Sequence, residues 1–210
     1  MFSAFVFACI TSFWGSVPPG PSNMAVLHTV LNKNAKTGIW MAMGACLPEI
    51  PYTFFAIVAV QYVNTFQTIS SYFAITSAIL LFSAGIFITF LQKPKPVDLD
   101  KSVQQEKLEI SPFLKGAIIG SLNPMILGFW LVTADVASKT GWLDLQSNFS
   151  IVGFILGAVI GALVLLVLVA LFTRKIKQRL TDEITVYLNK SIGITFLLLG
   201  IIQAYKFYVS

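Results

Sequence analysis

The stretch that decides the fold is VPPGPSN, residues 17–23, which lies inside an apolar segment that runs from Phe2 to Leu31. Most of this stretch is proline or glycine, the residues least compatible with a helix interior. Each proline removes a backbone N–H donor and pushes the residue before it away from helical angles. In hydrocarbon such a break is tolerated only where it is buried in protein or lines a polar cavity.

The composition is that of an integral membrane protein. Of the 210 residues, 56% are hydrophobic and only 11% are charged, whereas soluble domains carry about a quarter charged residues. The net charge of +5 comes largely from basic residues in short segments between apolar runs, which indicates membrane orientation rather than a nucleic-acid partner. Both cysteines, Cys9 and Cys46, lie in apolar segments, so no disulfide framework is expected. No glycine-rich nucleotide loop is present, and we expect neither ATP coupling nor a cofactor.

Apolar runs long enough to cross a bilayer, about 20 residues, predict an all-α integral membrane protein with six transmembrane helices. The predicted spans are 2–31, 38–62, 70–91, 113–136, 149–172 and 185–207. The first is broken at residues 18–21 and the fourth at Asn123-Pro124, while the second carries Pro48 and Pro51 in its middle. We predict one domain over 1–210, with repeats 1–92 and 113–210 joined by a charged linker at 93–112.

Basic residues predict the orientation of these spans. The successive loops carry two, zero, four, one and four lysines or arginines. Because cytoplasmic loops are enriched in these residues, the first, third and fifth loops are predicted to be cytoplasmic and both termini to face outward. The cluster at residues 174–179 is interpreted as an orientation anchor.

The two halves of the chain resemble each other. Aligning Gly15-Ser16 with Gly120-Ser121 places the two breaks in register, and KTG at 36–38 then corresponds to KTG at 139–141. Since each half has three predicted spans, the second half would insert upside down relative to the first. Paired broken helices in an inverted repeat are typical of a transporter with its substrate site near the membrane midplane.

The chemistry of the breaks suggests a zwitterionic substrate. A helix that begins near Ser22 would offer N–H groups and a positive dipole end to a carboxylate, although a simple kink that helps packing is the alternative. Glu49 is the only acid well inside the first half and should face an interior cavity, where it could bind an ammonium group or carry a proton, with carbonyls freed by the flanking prolines nearby. The alternative for Glu49 is a structural carboxylate bonded to a neighbouring helix. The expected substrate-binding residues are Pro19, Gly20, Pro21, Ser22, Asn23, Glu49, Asn123 and Pro124.

Two further polar residues are left open. Asp135, near the outer end of the fourth span, is a second proton-coupling candidate that lines the exit path, or an interfacial acid beside Lys139. His28, the only histidine, is either a packed residue or a proton relay. The four tryptophans are interpreted as interfacial or packing residues.

Two other classes of six-span protein can be weighed against this interpretation. A thiol relay needs a cysteine near each break, but both cysteines lie in the first half. A metal exporter would need several converging His, Cys or acidic ligands, and no such metal set is evident in the sequence. A cation exporter that uses Glu49 and the carbonyls at the breaks remains the alternative.

Three motifs resemble the lysine exporter (LysE/RhtB-type) family of amino-acid efflux proteins. They are PGPSN followed by MAVL at 19–27, GACLPE at 44–49, and FLKG at 113–116 followed by LNP at 122–124. The resemblance implies an exporter of an amino acid in the bacterial inner membrane. Two departures, Met125 where the family often has lysine and Ala134-Asp135 in place of a proline–glutamine element, mean that the substrate cannot be copied from other members.

The sequence as a whole therefore predicts a secondary transporter that exports an amino acid or similar small zwitterion by proton antiport and alternating access. Its expected partners are the substrate, protons and the lipid bilayer. Oligomeric state is not decided by the sequence.

Overall fold

The computed structural model describes residues 1–17, 20–65, 110–123 and 125–179, and single helical positions at 79, 82, 86, 190, 194, 197 and 201. The helices in the continuous ranges are α1 (Phe2–Ser16), α2 (Pro21–Asn32), α3 (Ala35–Cys46), α4 (Glu49–Thr65), α5 (Pro112–Ser121), α6 (Met125–Lys139) and α7 (Asn148–Arg179). This part of the chain contains no strand, so the all-α prediction is confirmed there. The predicted spans 70–91 and 185–207 and most of the linker 93–112 lie outside the described residues.

Local sequence explains where several helices begin. The side chain of Asn34 caps α3 by accepting a hydrogen bond from the N–H of Thr37 at 2.9 Å. Ser111 caps α5 in the same way through Leu114. The helix α2 starts with Pro21, whose missing N–H costs nothing in the first turn.

Within the described residues, two helices are long and apolar enough to cross a membrane, and two bent pairs of helices pass the same test when each pair is counted as one span. The first two are the continuous segments Ala35–Tyr62 and Asn148–Thr173, and each pair is bent at a short break. The bends are 69° between α1 and α2 and 67° between α5 and α6. The breaks predicted in the first and fourth spans are therefore present, at residues 17–20 and 122–124.

The fifth predicted span, 149–172, matches the apolar segment Asn148–Thr173. Its helix, α7, continues beyond that segment through the basic run to Arg179, because lysine and arginine are good helix formers. The helix α6 likewise extends to Lys139, which shortens the following loop to residues 140–147.

The described residues form two apolar core clusters, which we call cluster A and cluster B. Cluster A joins α1, α4, α6 and the first half of α7. Cluster B joins α2, α3 and the second half of α7. The α1–α2 pair therefore has one helix in each cluster, and so does the α3–α4 pair. The helix α7 runs through both clusters.

Glycine permits the closest helix contacts. On α7, glycines at 153, 157 and 161 lie directly against backbone carbonyls of α1, where a side chain would collide; the facing carbonyls belong to Met1, Phe5 and Cys9. The predicted small-residue face of this helix is thus its contact with α1. Close contact between α3 and α5 arises in the same way through Gly44, Gly116 and Gly120.

Candidate functional site

The interruptions of the helices lie between the two apolar clusters. Cluster A ends on α7 at Ala158 and cluster B begins there at Ala162, in the middle of the span Asn148–Thr173. The α1–α2 break and the α3–α4 junction both fall between the two clusters. Gly120, one residue before the end of α5, lies against Ala45 and Pro48 at that junction. The end of α5 therefore lies beside the α3–α4 junction, next to Glu49.

A side chain bridges the first break. The amide Nδ2 of Asn23, on α2, donates a hydrogen bond of 2.7 Å to the carbonyl of Ser16, the last residue of α1. Asn23 is buried, so this bond satisfies a carbonyl that the break would otherwise strand. No side chain caps the N-terminus of α2, whose N-cap residue Gly20 is extended. Pro18 and Pro19 lie outside the described residues.

The second break has a matching arrangement. The carbonyl of Ser121, the last residue of α5, accepts a hydrogen bond of 2.6 Å from the hydroxyl of Tyr52 on α4. Ser16 and Ser121 are the two serines that the sequence repeat aligns, and each carries the carbonyl that a distant side chain satisfies. At Asn123 the backbone N–H bonds to Gly120 and the carbonyl accepts from Ile126. Pro124 lies outside the described residues.

Glu49 connects the first half of the chain to the second. It is the first residue of α4, it is buried, and its carboxylate Oε2 accepts a hydrogen bond from the indole Nε1 of Trp130 on α6. Trp130 is itself held edge-on by Phe129 and Phe154, with ring centroids 5.0 and 5.6 Å away. Sequence reasoning treated Trp130 only as a packing or interfacial residue and missed this bond, although a buried indole N–H usually has a partner.

The prediction that Pro48 and Pro51 leave carbonyls free near Glu49 was wrong for the two carbonyls concerned. A proline removes the donor that would bond to the carbonyl four residues earlier. The carbonyls of Gly44 and Leu47 instead accept from the amides three residues ahead, at 3.0 and 3.2 Å. The chain tightens locally here and stays close to helical, with Leu47 at φ −58° and ψ −41°.

Asp135 is buried and ion-paired within its own helix. Its carboxylate lies 2.8 Å from the Nζ of Lys139, one turn further along α6, and only 4% of the Asp135 side chain is exposed against 45% for Lys139. The interpretation of Asp135 as a solvated interfacial acid is therefore wrong, although the residue does lie beside Lys139 as that interpretation expected. His28 lies on α2 with its Nε2 2.9 Å from the amide of Asn32.

Thr53 is a polar residue that sequence reasoning overlooked. It lies one turn after Glu49 on α4 and is fully buried. Its spacing of four residues from the only acid in that span was the available signal.

Metal-binding geometry is not evident in the described ranges, which hold no group of three or more His, Cys, Asp or Glu side chains able to share an ion. The alternative of a cation site thus rests on Glu49 and backbone carbonyls alone.

Long apolar helices, two bent pairs and a buried carboxylate at their meeting point define the class: a multi-pass helical membrane transporter. A family model described as LysE type translocator matches residues 13–206, which include both breaks, Glu49 and Asp135. The chain belongs to the LysE type translocators, a family of transporters and not of enzymes. Comparisons with curated proteins and with solved structures gave no match.

Proposed function

We propose that the protein is a secondary active transporter that exports an amino acid or a related small zwitterion by proton antiport. The observation that carries this proposal is the buried Glu49, which bonds to Trp130 on the second half of the chain, beside the junction that the end of α5 contacts. Membership of a translocator family supports it independently. A buried acid at this depth is costly, and ionisable residues inside a membrane are therefore usually functional.

The substrate's carboxylate would bind at the N-terminus of α2. Gly20, Pro21, Ser22 and Asn23 form the first turn and its cap, and no side chain caps this turn from within the helix. A helix N-terminus favours an anion through its dipole and its N–H groups. We place Pro19 at the same site because it adjoins this turn, and we assign Asn123 and Pro124 to the corresponding site at the second break.

The substrate's ammonium group and the proton would share Glu49. A carboxylate can bind an ammonium or a proton but not both equally well, so competition at one residue couples the two fluxes in opposite directions. Asp135 is the second candidate for proton coupling. Its ion pair with Lys139 makes it the weaker one, since that partner already neutralises its charge.

We further propose that the chain forms six spans as two inverted repeats, 1–92 and 113–210, with the linker 93–112 in the cytoplasm. Two features of the described residues support this arrangement. The helices α1 and α5 end at the aligned serines, and their bends to the next helix differ by little, 69° against 67°. Both termini would face the outer side of a bacterial inner membrane, and rocking of one repeat against the other would expose the site alternately.

The test is efflux from liposomes that contain the purified protein. Vesicles preloaded with single amino acids should release one class of them, and release should be faster when the pH gradient drives protons inward against the efflux. Divalent metal ions belong in the same panel. Efflux of a metal without efflux of any amino acid would overturn the proposal in favour of the cation exporter.

Variants connect this activity to the site. Gly20→Ala and Asn23→Ala should abolish efflux while the protein still inserts, and Glu49→Gln should abolish gradient-driven efflux. Asp144→Asn is the matched control, since Asp144 is an exposed acid in the α6–α7 loop. Unchanged transport in both the Gly20 and the Asn23 variants would show that the first break is only a structural kink.

A further inference from the structure

Thr53 holds a buried hydroxyl that has no hydrogen-bond partner within the described part of the chain. Its residue is 0% exposed, and the oxygen is fully enclosed. Burying a hydroxyl without a partner destabilises a protein, so such a group needs a reason.

Other threonines among the described helices avoid that cost. Four of them donate to the carbonyl four residues earlier in their own helix: Thr11, Thr29, Thr133 and Thr173. For Thr53 the equivalent acceptor is the carbonyl of Glu49, and this bond is not made. The hydroxyl of Thr53 therefore makes no hydrogen bond to its own helix, although the carbonyl it would bond to belongs to Glu49 of the proposed site.

Thr53 lies one turn after Glu49 on the same face of α4. Residues four apart on a helix lie on the same face, and Ala42, Cys46, Glu49 and Thr53 form a continuous buried row of this kind along α3 and α4. Trp130 donates to one oxygen of the Glu49 carboxylate, Oε2. None of the described residues donates a hydrogen bond to the other oxygen, Oε1. The row thus contains two oxygen atoms, Oε1 of Glu49 and the hydroxyl oxygen of Thr53, that come from residues one turn apart. Neither oxygen has a hydrogen-bond partner among the described residues.

We propose that Thr53 determines substrate specificity by accepting a hydrogen bond, together with Glu49, from a primary ammonium group of the substrate. The proposal rests on the proposed function, in which Glu49 binds that ammonium. An ammonium group has N–H donors in several directions and can bond to both oxygens at once. An anionic group would be repelled by the adjacent carboxylate, which leaves the cationic end of a zwitterion as the ligand.

The enclosed hydroxyl also relates this site to the transport cycle. In the conformation described, the oxygen of Thr53 has no room for a ligand beside it. A substrate can therefore reach this hydroxyl only after neighbouring side chains move apart, so binding at Thr53 requires a conformational change.

Thr53→Val tests this inference because valine has nearly the shape of threonine but no hydroxyl. The half-saturating substrate concentration for efflux should rise about tenfold, the effect of one lost hydrogen bond of about 1.4 kcal/mol. The melting temperature should stay the same or increase, since an unsatisfied buried hydroxyl has been removed. Thr53→Ser, which keeps the hydroxyl, should transport like the parent protein.

A second readout separates ligand binding from structure. The transported amino acid is compared with its trimethylammonium analogue, which has the same charge but no N–H donor. The parent protein should prefer the primary amine, and Thr53→Val should reduce that preference about tenfold. If valine prevents insertion, Thr53→Ala serves for the same comparison.

The outcomes distinguish the two proposals. If the parent protein moves no amino acid, the proposed function fails and the Thr53 variants are not needed. If the parent protein exports amino acids while Thr53→Val keeps both its half-saturating concentration and its preference for the primary amine, Thr53 is only a structural residue and the inference is overturned.

Discussion

Replacing Trp130 by phenylalanine tests whether one hydrogen bond links the two halves of the transporter. The indole Nε1 of Trp130 donates to Glu49, and no second donor to this carboxylate is found among the described residues. Phenylalanine keeps an aromatic ring beside Phe129 and Phe154 but has no N–H group. The substitution therefore removes the bond with limited change in packing.

The magnitude follows from the charge of the acceptor. A hydrogen bond to a charged group contributes about 1.5–3 kcal/mol to stability, and one to a neutral group about 0.5–1.5 kcal/mol. Because Trp130 is fully buried, the smaller ring adds a packing loss on the order of 1 kcal/mol. Trp130→Phe should then lower the free energy of unfolding by about 3 kcal/mol in the parent protein and about 2 kcal/mol in the Glu49→Gln background.

The assay is a double-mutant cycle on thermal unfolding in detergent micelles, which cancels the packing loss common to both backgrounds. The coupling of about 1 kcal/mol should be largest at a pH at which Glu49 is ionised. It should shrink on acidification, because a protonated carboxyl is a neutral acceptor. Equal losses in the two backgrounds, within about 0.5 kcal/mol, would refute the claim that Trp130 stabilises a charged Glu49.

Three further predictions concern the helix contacts, the second break and the second acid. Gly157→Ala should lower the free energy of unfolding by about 1–3 kcal/mol, because its Cβ would collide with the backbone of α1. The control is Gly128→Ala, where the space is open; it should be neutral or stabilising in the same unfolding assay. Tyr52→Phe should cost about 1 kcal/mol in that assay, because the carbonyl at the end of α5 loses its donor; an unchanged melting temperature would show that water replaces the hydroxyl. Asp135→Asn should keep gradient-driven efflux in liposomes, whereas Glu49→Gln abolishes it, since the ion pair of Asp135 lies within its own helix. If only the Asp135 variant loses coupling to the gradient, Asp135 and not Glu49 is the proton-coupling residue.

The sequence alone was enough to predict that the chain is helical, that it lies in a membrane, and where its first and fourth spans break. Proline and glycine act on the backbone of their own segment, so the breaks at residues 17–20 and 122–124 could be located without knowledge of any neighbour. The family resemblance, carried by short motifs at these same places, was confirmed over residues 13–206. The apolar span before the basic run was also predicted, but not the length of its helix, because lysine and arginine continue a helix beyond the apolar run.

Only the tertiary structure decided which groups at the breaks have partners. Asn23 bonds across its own break, Tyr52 bonds to the other one, and Trp130 bonds to Glu49 over a separation of 81 residues. The bonds of Tyr52 and Trp130 depend on how helices distant in sequence approach each other, and the bond of Asn23 depends on the bend between α1 and α2. The unsatisfied hydroxyl of Thr53 is a finding of the same kind, since a missing partner is visible only when every neighbour has a position. The stretch at residues 17–23 thus determined by itself that a helix must break inside the membrane. Packing of the helices determined which groups lie next to the break and bond to it.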